Sequence, residues 1–369
     1  MSLTGHATPE GTERYRARFA ESAAAGHFRL QQGLQLSSIG LGTYLGEWDE
    51  AADESYTDAI ARAVELGVNA LDTASNYRFQ RSERSMGAAL RRLSVSGYGR
   101  EELVICTKGG YLPFDGAPPK DVRGYVEETF VRPGIAALSD FVGGSHCLKP
   151  AFLQSQLEQS LRNLDCDGVD VYYLHNPESQ LGEVPREEFD RRLRSAFLKL
   201  EEGRALRQLR FYGVATWNGL RVAPNSREHL SLARLFALAR EAGGDAHGFR
   251  FVQAPFNFAM PEALLSPNQE LDGATGSLIE IAGELGVTVI ASASLLQGRA
   301  AQNLSEEIRA PLGNLPTDTQ TALQFVRSTP GLATALVGMG RVAHVEENLH
   351  LVGVAPAASE QYQQLFTNG

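Results

Sequence analysis

Cysteine is scarce in this chain, with three in 369 residues: Cys106, Cys147 and Cys166. An odd number without a C-x-x-C spacing supports neither a disulfide framework nor a zinc site, so no metal is expected and a reducing cytoplasm fits best. Long apolar runs are missing too, and none nears the roughly 18 consecutive residues of a membrane span. Positive charge is outnumbered, 34 Lys and Arg against 44 Asp and Glu, for a formal net charge of -10. That balance argues against a nucleic acid or an anionic membrane as partner, since both call for a basic face. The N-terminus lacks the basic-then-apolar layout of a signal peptide. Arg14, Arg16 and Arg18 among alanines have the look of a transit peptide, but Glu10, Glu13 and Glu21 interrupt it, and a solvated helix is expected over 12–25. No internal repeat or low-complexity tract is seen.

What is present is apolar material for a sizeable core, 43% hydrophobic against 21% charged, in the size range of one barrel domain with insertions. Short β-branched runs alternate with helical patterns. Strands are expected at Ser37–Leu41, Val68–Asp72, Leu103–Lys108, Val169–His175, Leu209–Val214, Phe251–Gln253, Val287–Ala291 and Leu332–Val337. Helices are expected between them, over Glu54–Leu66, Glu83–Leu93, Pro150–Leu164, Glu187–Glu202 and around Leu230–Arg240, with a last one beginning near Arg341. Leu153, Leu157 and Leu161 form one apolar stripe at four-residue steps. The fold class is therefore α/β, a single (β/α)8 TIM-type barrel over 36–369 behind an N-terminal extension, 1–35. Two long irregular stretches, 109–149 and Ala254–Gly276, follow strands and so lie on the face where barrel enzymes place their sites. The first holds five spaced aromatics and is expected to order over the mouth as a lid.

Four chemistry-bearing residues fall at or just beyond strand C-terminal ends: Asp72, Tyr77, Lys108 and His175. Singly, each has a bland reading as a loop cap, a rim aromatic, a solvated cation or a satisfied buried histidine. Together at one barrel mouth they make a proton-delivery device. A phenol titrates near about 10, and a nearby ammonium lowers that value by favouring phenolate. A carboxylate keeps the ammonium charged and in place, while an imidazole orients a carbonyl oxygen. Such a device serves an alkoxide that develops as hydride reaches carbon, and no side chain supplies hydride, so a cofactor is required.

Three motifs in this order are specific: Gly67-Val68-Asn69-Ala70-Leu71-Asp72-Thr73-Ala74 running on to Tyr77, then Val104-Ile105-Cys106-Thr107-Lys108, then Asp170-Val171-Tyr172-Tyr173-Leu174-His175-Asn176-Pro177. With Tyr212-Gly213-Val214, Gln253 and Val345-Glu346-Glu347-Asn348-Leu349, the chain resembles the aldo-keto reductase superfamily over roughly 36–352. The resemblance implies a catalytic tetrad of Asp72, Tyr77, Lys108 and His175. It also implies reduction of an aldehyde or ketone, reversibly, with NADP(H) or, less often, NAD(H), and a small-molecule carbonyl partner.

Cofactor positions implied by the resemblance are Thr216, Gln253, Ser292, Leu295, Gly338, Met339, Gly340, Arg341, Glu347 and Asn348. Val337-Gly338-Met339-Gly340-Arg341-Val342-Ala343 happens to match the G-x-G-x-x-G/A pattern, but too little chain follows for an open dinucleotide-binding unit. Its glycines still suit the approach of backbone amides to an anion at a helix N-terminus. The family's serine-asparagine pair is Ala215-Thr216 here, and its nicotinamide-stacking aromatic aligns to Ser292, leaving Trp217 or Phe256 as substitutes. The basic positions used for a 2′-phosphate align to Gly338 and His344, leaving Arg341. Tyr44, Trp48, Tyr111 and Phe114 are expected pocket walls. Two other functions fit the same barrel: a cofactor-binding regulatory subunit, and a redox-neutral lyase or epimerase.

Overall fold

Each of eight short strands is followed by a helix whose apolar stripe covers it, and the eight close on themselves. The computed structural model describes residues 3–367, so 1–2 and 368–369, at the outer ends of the expected extension and domain, lie outside the described residues. The strands are β1 (Ile39–Gly42), β2 (Ala70–Asp72), β3 (Val104–Gly109), β4 (Val169–His175), β5 (Leu209–Ala215), β6 (Phe249–Pro255), β7 (Thr288–Ser292) and β8 (Leu332–Gly338). All neighbours pair in parallel, and β8 returns to β1 through Leu336↔Gly40 and Val337↔Leu41. The matching helices are α1 (Glu50–Glu65), α2 (Arg81–Val95), α3 (Pro150–Leu164), α4 (Arg186–Ala205), α5 (Leu232–Gly243), α6 (Leu278–Glu284), α7 (Asp318–Ser328) and α8 (Val342–Leu349). The (β/α)8 class expected from the alternation is the fold observed.

Local signals set the element ends. Asp49 caps α1 by accepting from the Ala52 amide, and the helix stops before Gly67, whose φ of 102 favours a residue without Cβ. A capping box of Ser277 and Glu280 opens α6. Inside the barrel, Val104, Val171, Tyr173, Phe251, Ile290 and Leu336 fill the lumen. An antiparallel hairpin, Phe28–Gln31 with Leu34–Ser37, contributes Leu34 and Leu36 to that same cluster. No helix among the described residues is long and apolar enough to cross a membrane.

Two expectations are corrected. The helix near the N-terminus runs over Pro9–Ala17 and is not merely solvated. Its Tyr15 is fully buried, with the hydroxyl 2.6 Å from Val64 O and 2.9 Å from Val68 O. The Ala254–Gly276 stretch is not irregular throughout: it holds a short helix, Glu262–Leu265, and a hairpin pairing Gln269–Leu271 with Ala274–Gly276.

The 109–149 insertion, expected to be a lid, has a core of its own. Leu112, Val126, Phe130, Ala136, Phe141 and Cys147 gather against Phe152 of α3. Phe130 meets Phe152 edge-on at 5.0 Å. Phe130 and Phe141 thus anchor an ordered segment, while Tyr111 at its start packs on His175. Phe130→Ala is expected to cost about 3–5 kcal/mol, the range for truncating a buried Phe. The loss should fall on the insertion, with hydrogen exchange accelerating across 112–147 while the barrel strands keep their protection. Unchanged exchange there would contradict a separate core.

Candidate active site

Register brings the tetrad together. Asp72 pairs with Cys106 across β2 and β3, which places Lys108 on the same inward face one pleat closer to the mouth. Lys108 pairs in turn with Tyr173, and His175 ends the same strand β4. Lys108 is 1% exposed and Asp72 3%. The ammonium donates to Asp72 Oδ1 at 2.6 Å, to Asp72 Oδ2, and to Thr73 O at 2.9 Å. Gln253 Nε2 donates to Asp72 Oδ1 at 2.9 Å. Both charges are buried, and each is compensated.

Tyr77 lies on the turn after β2, with Lys108 Nζ 4.9 Å from its ring centroid. Three successive non-glycine residues after it are left-handed: Arg78 at φ 47, Phe79 at 58 and Gln80 at 70. Such residues cost roughly 1–2 kcal/mol each, so the turn needs external anchors. Arg78 Nε donates to Glu47 O at 2.7 Å and its Nη2 to Asp53 Oδ1 at 2.5 Å. Gln80 Nε2 reaches Phe114 O at 3.2 Å. Neither anchor was visible in the sequence pattern, because both depend on contacts between distant loops.

The titration properties correct one expectation. Burial pushes the Tyr77 phenol above its ordinary value, and the Lys108 ammonium beside it only partly offsets this. Burial also opposes the charged form of Lys108, but Asp72 and Tyr77 outweigh it and hold the ammonium above the usual lysine range. Burial, then Lys108 and His146, drive His175 well below its ordinary value, so its imidazole is neutral at pH 7. The directions of these shifts give a protonated phenol, a charged ammonium and a neutral imidazole at pH 7.

Around these groups the four expected wall residues converge. Tyr44 lies 5.0 Å from the Tyr77 ring, and Tyr111 lies 5.2 Å from the His175 ring, both edge-on. Trp48 and Phe114 flank Phe79 at 5.3 Å and 6.3 Å, making Phe79 a wall residue that sequence reasoning missed. Tyr44 and Trp48 remain 59% and 47% exposed, leaving apolar ring surface at the mouth.

The positions expected to bind cofactor lie near the ends of β5 to β8 and on α8. Thr216 follows β5, with its Oγ1 buried and without a partner in the structure. Ser292 ends β7, and beyond it Ser294, not singled out by sequence, likewise buries a free Oγ. Leu295 is half-buried on the same loop. Gly338 ends β8, Met339 is fully buried, and a Cβ on Gly340 would sit 3.0 Å from the Tyr56 ring. Arg341 precedes α8, exposed and without an ion pair among the described residues. Glu347 is exposed, while Asn348 buries an unpartnered Oδ1. Unsatisfied buried acceptors and donors are costly unless a ligand completes them. Thr216 after β5, Ser294 after β7 and Asn348 on α8, spread along the mouth with the glycine-containing turn that opens α8, fit an elongated polar, anionic group such as a nicotinamide dinucleotide. Phe256 is removed as a stacking substitute, because it is fully buried and stacked on Phe325 at 5.4 Å. Trp217 is exposed on the loop after β5.

Comparison with known proteins bears on the family and the fold. A putative voltage-gated potassium channel subunit beta of Schizosaccharomyces pombe is 25% identical over 354 residues, covering 88% of this chain and 87% of the relative. Among solved structures, an aldo/keto reductase from Klebsiella pneumoniae in complex with NADP and acetate superposes with a TM-score of 0.62 at 20% identity, over 93% of this chain and 94% of that one. The glycerol dehydrogenase of Gluconobacter oxydans gives 0.64 at 15% identity, over 92% and 94%. These structural likenesses show the fold. The model of the aldo/keto reductase family matches residues 38–223, just over half of the chain and the part that carries Asp72, Tyr77, Lys108 and His175. The chain belongs to the aldo/keto reductase family of oxidoreductases.

Proposed function

We propose that this chain reduces an aldehyde or ketone to its alcohol with NADP(H), and that Tyr77 delivers the proton. The observation that carries the reading is the buried Lys108–Asp72 pair seated beneath a protonated Tyr77. Bound NADPH would supply the hydride. Thr216, Ser294, Asn348 and the Gly338–Arg341 segment would hold it; the choice of NADP(H) is supported by a neighbour of the same fold solved with NADP. The chain's own residues do the rest. Neutral His175 donates to the carbonyl oxygen and orients it toward the phenol. As negative charge grows on that oxygen, Tyr77 Oη–H transfers its proton, and the adjacent Lys108 ammonium stabilises the phenolate left behind. Asp72 and Thr73 O keep the ammonium in place, and the aromatic rim restricts water.

A regulatory role rests on a different observation, the channel subunit named among the relatives. Titrating NADPH and NADH and then adding a carbonyl panel separates the two, because steady cofactor oxidation supports the reductase and binding without turnover the regulator. If Arg341 meets the 2′-phosphate, Arg341→Ala should weaken NADPH binding by about 1–3 kcal/mol, the scale of a charge-assisted hydrogen bond, and leave NADH unchanged. Equal effects on both cofactors would contradict that pairing.

A further inference from the structure

The His175 ring buries its Nδ1, which has no hydrogen-bond partner among the described residues. Its orientation must come from ring packing and from its backbone. The rings of Tyr77 and Tyr111 meet it edge-on at 5.7 Å and 5.2 Å. A second histidine, His146 of the 109–149 insertion, touches both remaining supports. It is 1% exposed, its Nε2 lies 2.8 Å from His175 O, and its ring meets Tyr111 edge-on at 4.9 Å.

The tautomer of His146 follows from its neighbours. Gln180 Oε1 accepts from Arg192 Nη1 at 2.6 Å, and a guanidinium has no acceptor, so the Gln180 amide cannot turn over. Its Nε2 therefore donates, to His146 Nδ1 at 2.8 Å and to His146 O at 3.0 Å. Nδ1 is thereby an acceptor, and the ring proton sits on Nε2, facing His175 O. Arg192 is itself held by Glu188 at 2.7 Å. Backbone geometry makes room for this contact. Gly110 runs at φ 136 between the two histidines, where a Cβ would lie 2.9 Å from His146 Nε2 and 3.2 Å from His175 O. Tyr111 is fixed from its other side, with Gln156 Nε2 donating to its carbonyl at 2.6 Å and Ser179 Oγ 3.0 Å from its hydroxyl.

We propose that His146 is a positioning residue for the reaction: through Nε2–H on His175 O and ring contact with Tyr111, it sets the angle at which His175 meets the carbonyl. The proposal rests on the reduction reading, and it goes beyond the tetrad because the device belongs to the insertion. Displacements on the scale of an ångström at a reacting group can cost as much as about 10²-fold in rate. His146→Phe keeps a ring against Tyr111 and removes the donor. It should lower kcat at least ~10-fold while leaving NADPH affinity and the carbonyl KM within ~2-fold, because no binding contact is lost. His146→Gln restores a donor of similar reach and should recover most of kcat, a rescue that a space-filling role would not give.

A readout independent of turnover is the ring signal of His175 in protein labelled with 13C-histidine. It should be a single sharp resonance in the wild type and broaden in His146→Phe as the ring samples several orientations. Should His146→Phe fail to fold, 15N spectra of the unaltered protein decide instead, with the Nε2–H form of His146 expected and the Nδ1–H form overturning the proposal. A His146→Phe protein with wild-type kcat and an unchanged His175 resonance would also overturn it. A wild-type protein that reduces no carbonyl would sink the reduction reading and leave the resonance to decide on His146.

Discussion

Tyr77→Phe is expected to lower kcat for carbonyl reduction by at least about 10²-fold, the low end for removal of a general acid. The substitution keeps the ring that packs on Tyr44 and His175 and deletes only the hydroxyl. Cofactor affinity should barely move, because no dinucleotide contact is assigned to the phenol. The pH dependence has a definite sign. With the phenol held above its ordinary value chiefly by burial, Tyr77 stays protonated through neutrality. Reduction should therefore run on a plateau from neutral pH upward and fall only as the solution becomes strongly alkaline and the donor is lost. Alcohol oxidation, which needs the phenolate as acceptor, should rise over that same limb. A Phe variant retaining more than half the activity would remove Tyr77 from the mechanism.

Asp72→Ala should be among the most destabilising single changes in the barrel. It strands the Lys108 ammonium at 1% exposure, with Thr73 O and the neutral Tyr77 hydroxyl left as its partners and no counter-charge beside it. Breaking a buried pair from one side costs about 3–5 kcal/mol, mostly the penalty of the charge left behind. The buried ammonium can relieve part of that by releasing its proton, which also removes the charge that stabilises the Tyr77 phenolate. Activity should be lost together with stability. The double variant Asp72→Leu, Lys108→Met separates the two effects, because replacing both charges with apolar groups is often close to neutral. It should regain most of the unfolding free energy in urea and none of the activity. A single Asp72→Ala protein as stable as wild type would mean that the pair is not compensated as described.

How much of this was legible beforehand depends on whether the signal was local. β-branched runs closed by glycine and the four strand-end residues are local, and they led to the barrel and to the meeting of Asp72, Tyr77, Lys108 and His175. The helix over 12–25 was read as solvated because its arginines and glutamates mark an exposed face, while the burial of Tyr15 against the carbonyls of Val64 and Val68 appears only in the folded chain. The insertion's aromatics were legible from their spacing but their partner, Phe152 on α3, was not, because that contact joins distant parts of the chain. The Tyr77 phenol was expected to be lowered by Lys108, since proximity in sequence motifs carries no measure of burial. Gln253 was legible as a mouth residue, but its bond to Asp72 appears only when β6 and β2 face each other across the lumen. Ser294 and His146 were missed for a related reason: a buried hydroxyl without a partner and a histidine bonded to a backbone carbonyl leave no trace in composition or spacing.

The most direct test of the central claim follows the hydride itself. Protein supplied with NADPH deuterated at the transferable position of the nicotinamide, together with an aldehyde or ketone, should yield an alcohol with one deuterium on the former carbonyl carbon, one for each NADPH oxidised. Tyr77→Phe should form the same labelled product far more slowly. Label that stays on bound cofactor while the carbonyl persists would identify a binding subunit. A changed product without cofactor oxidation would identify acid–base chemistry, and either result would contradict the account.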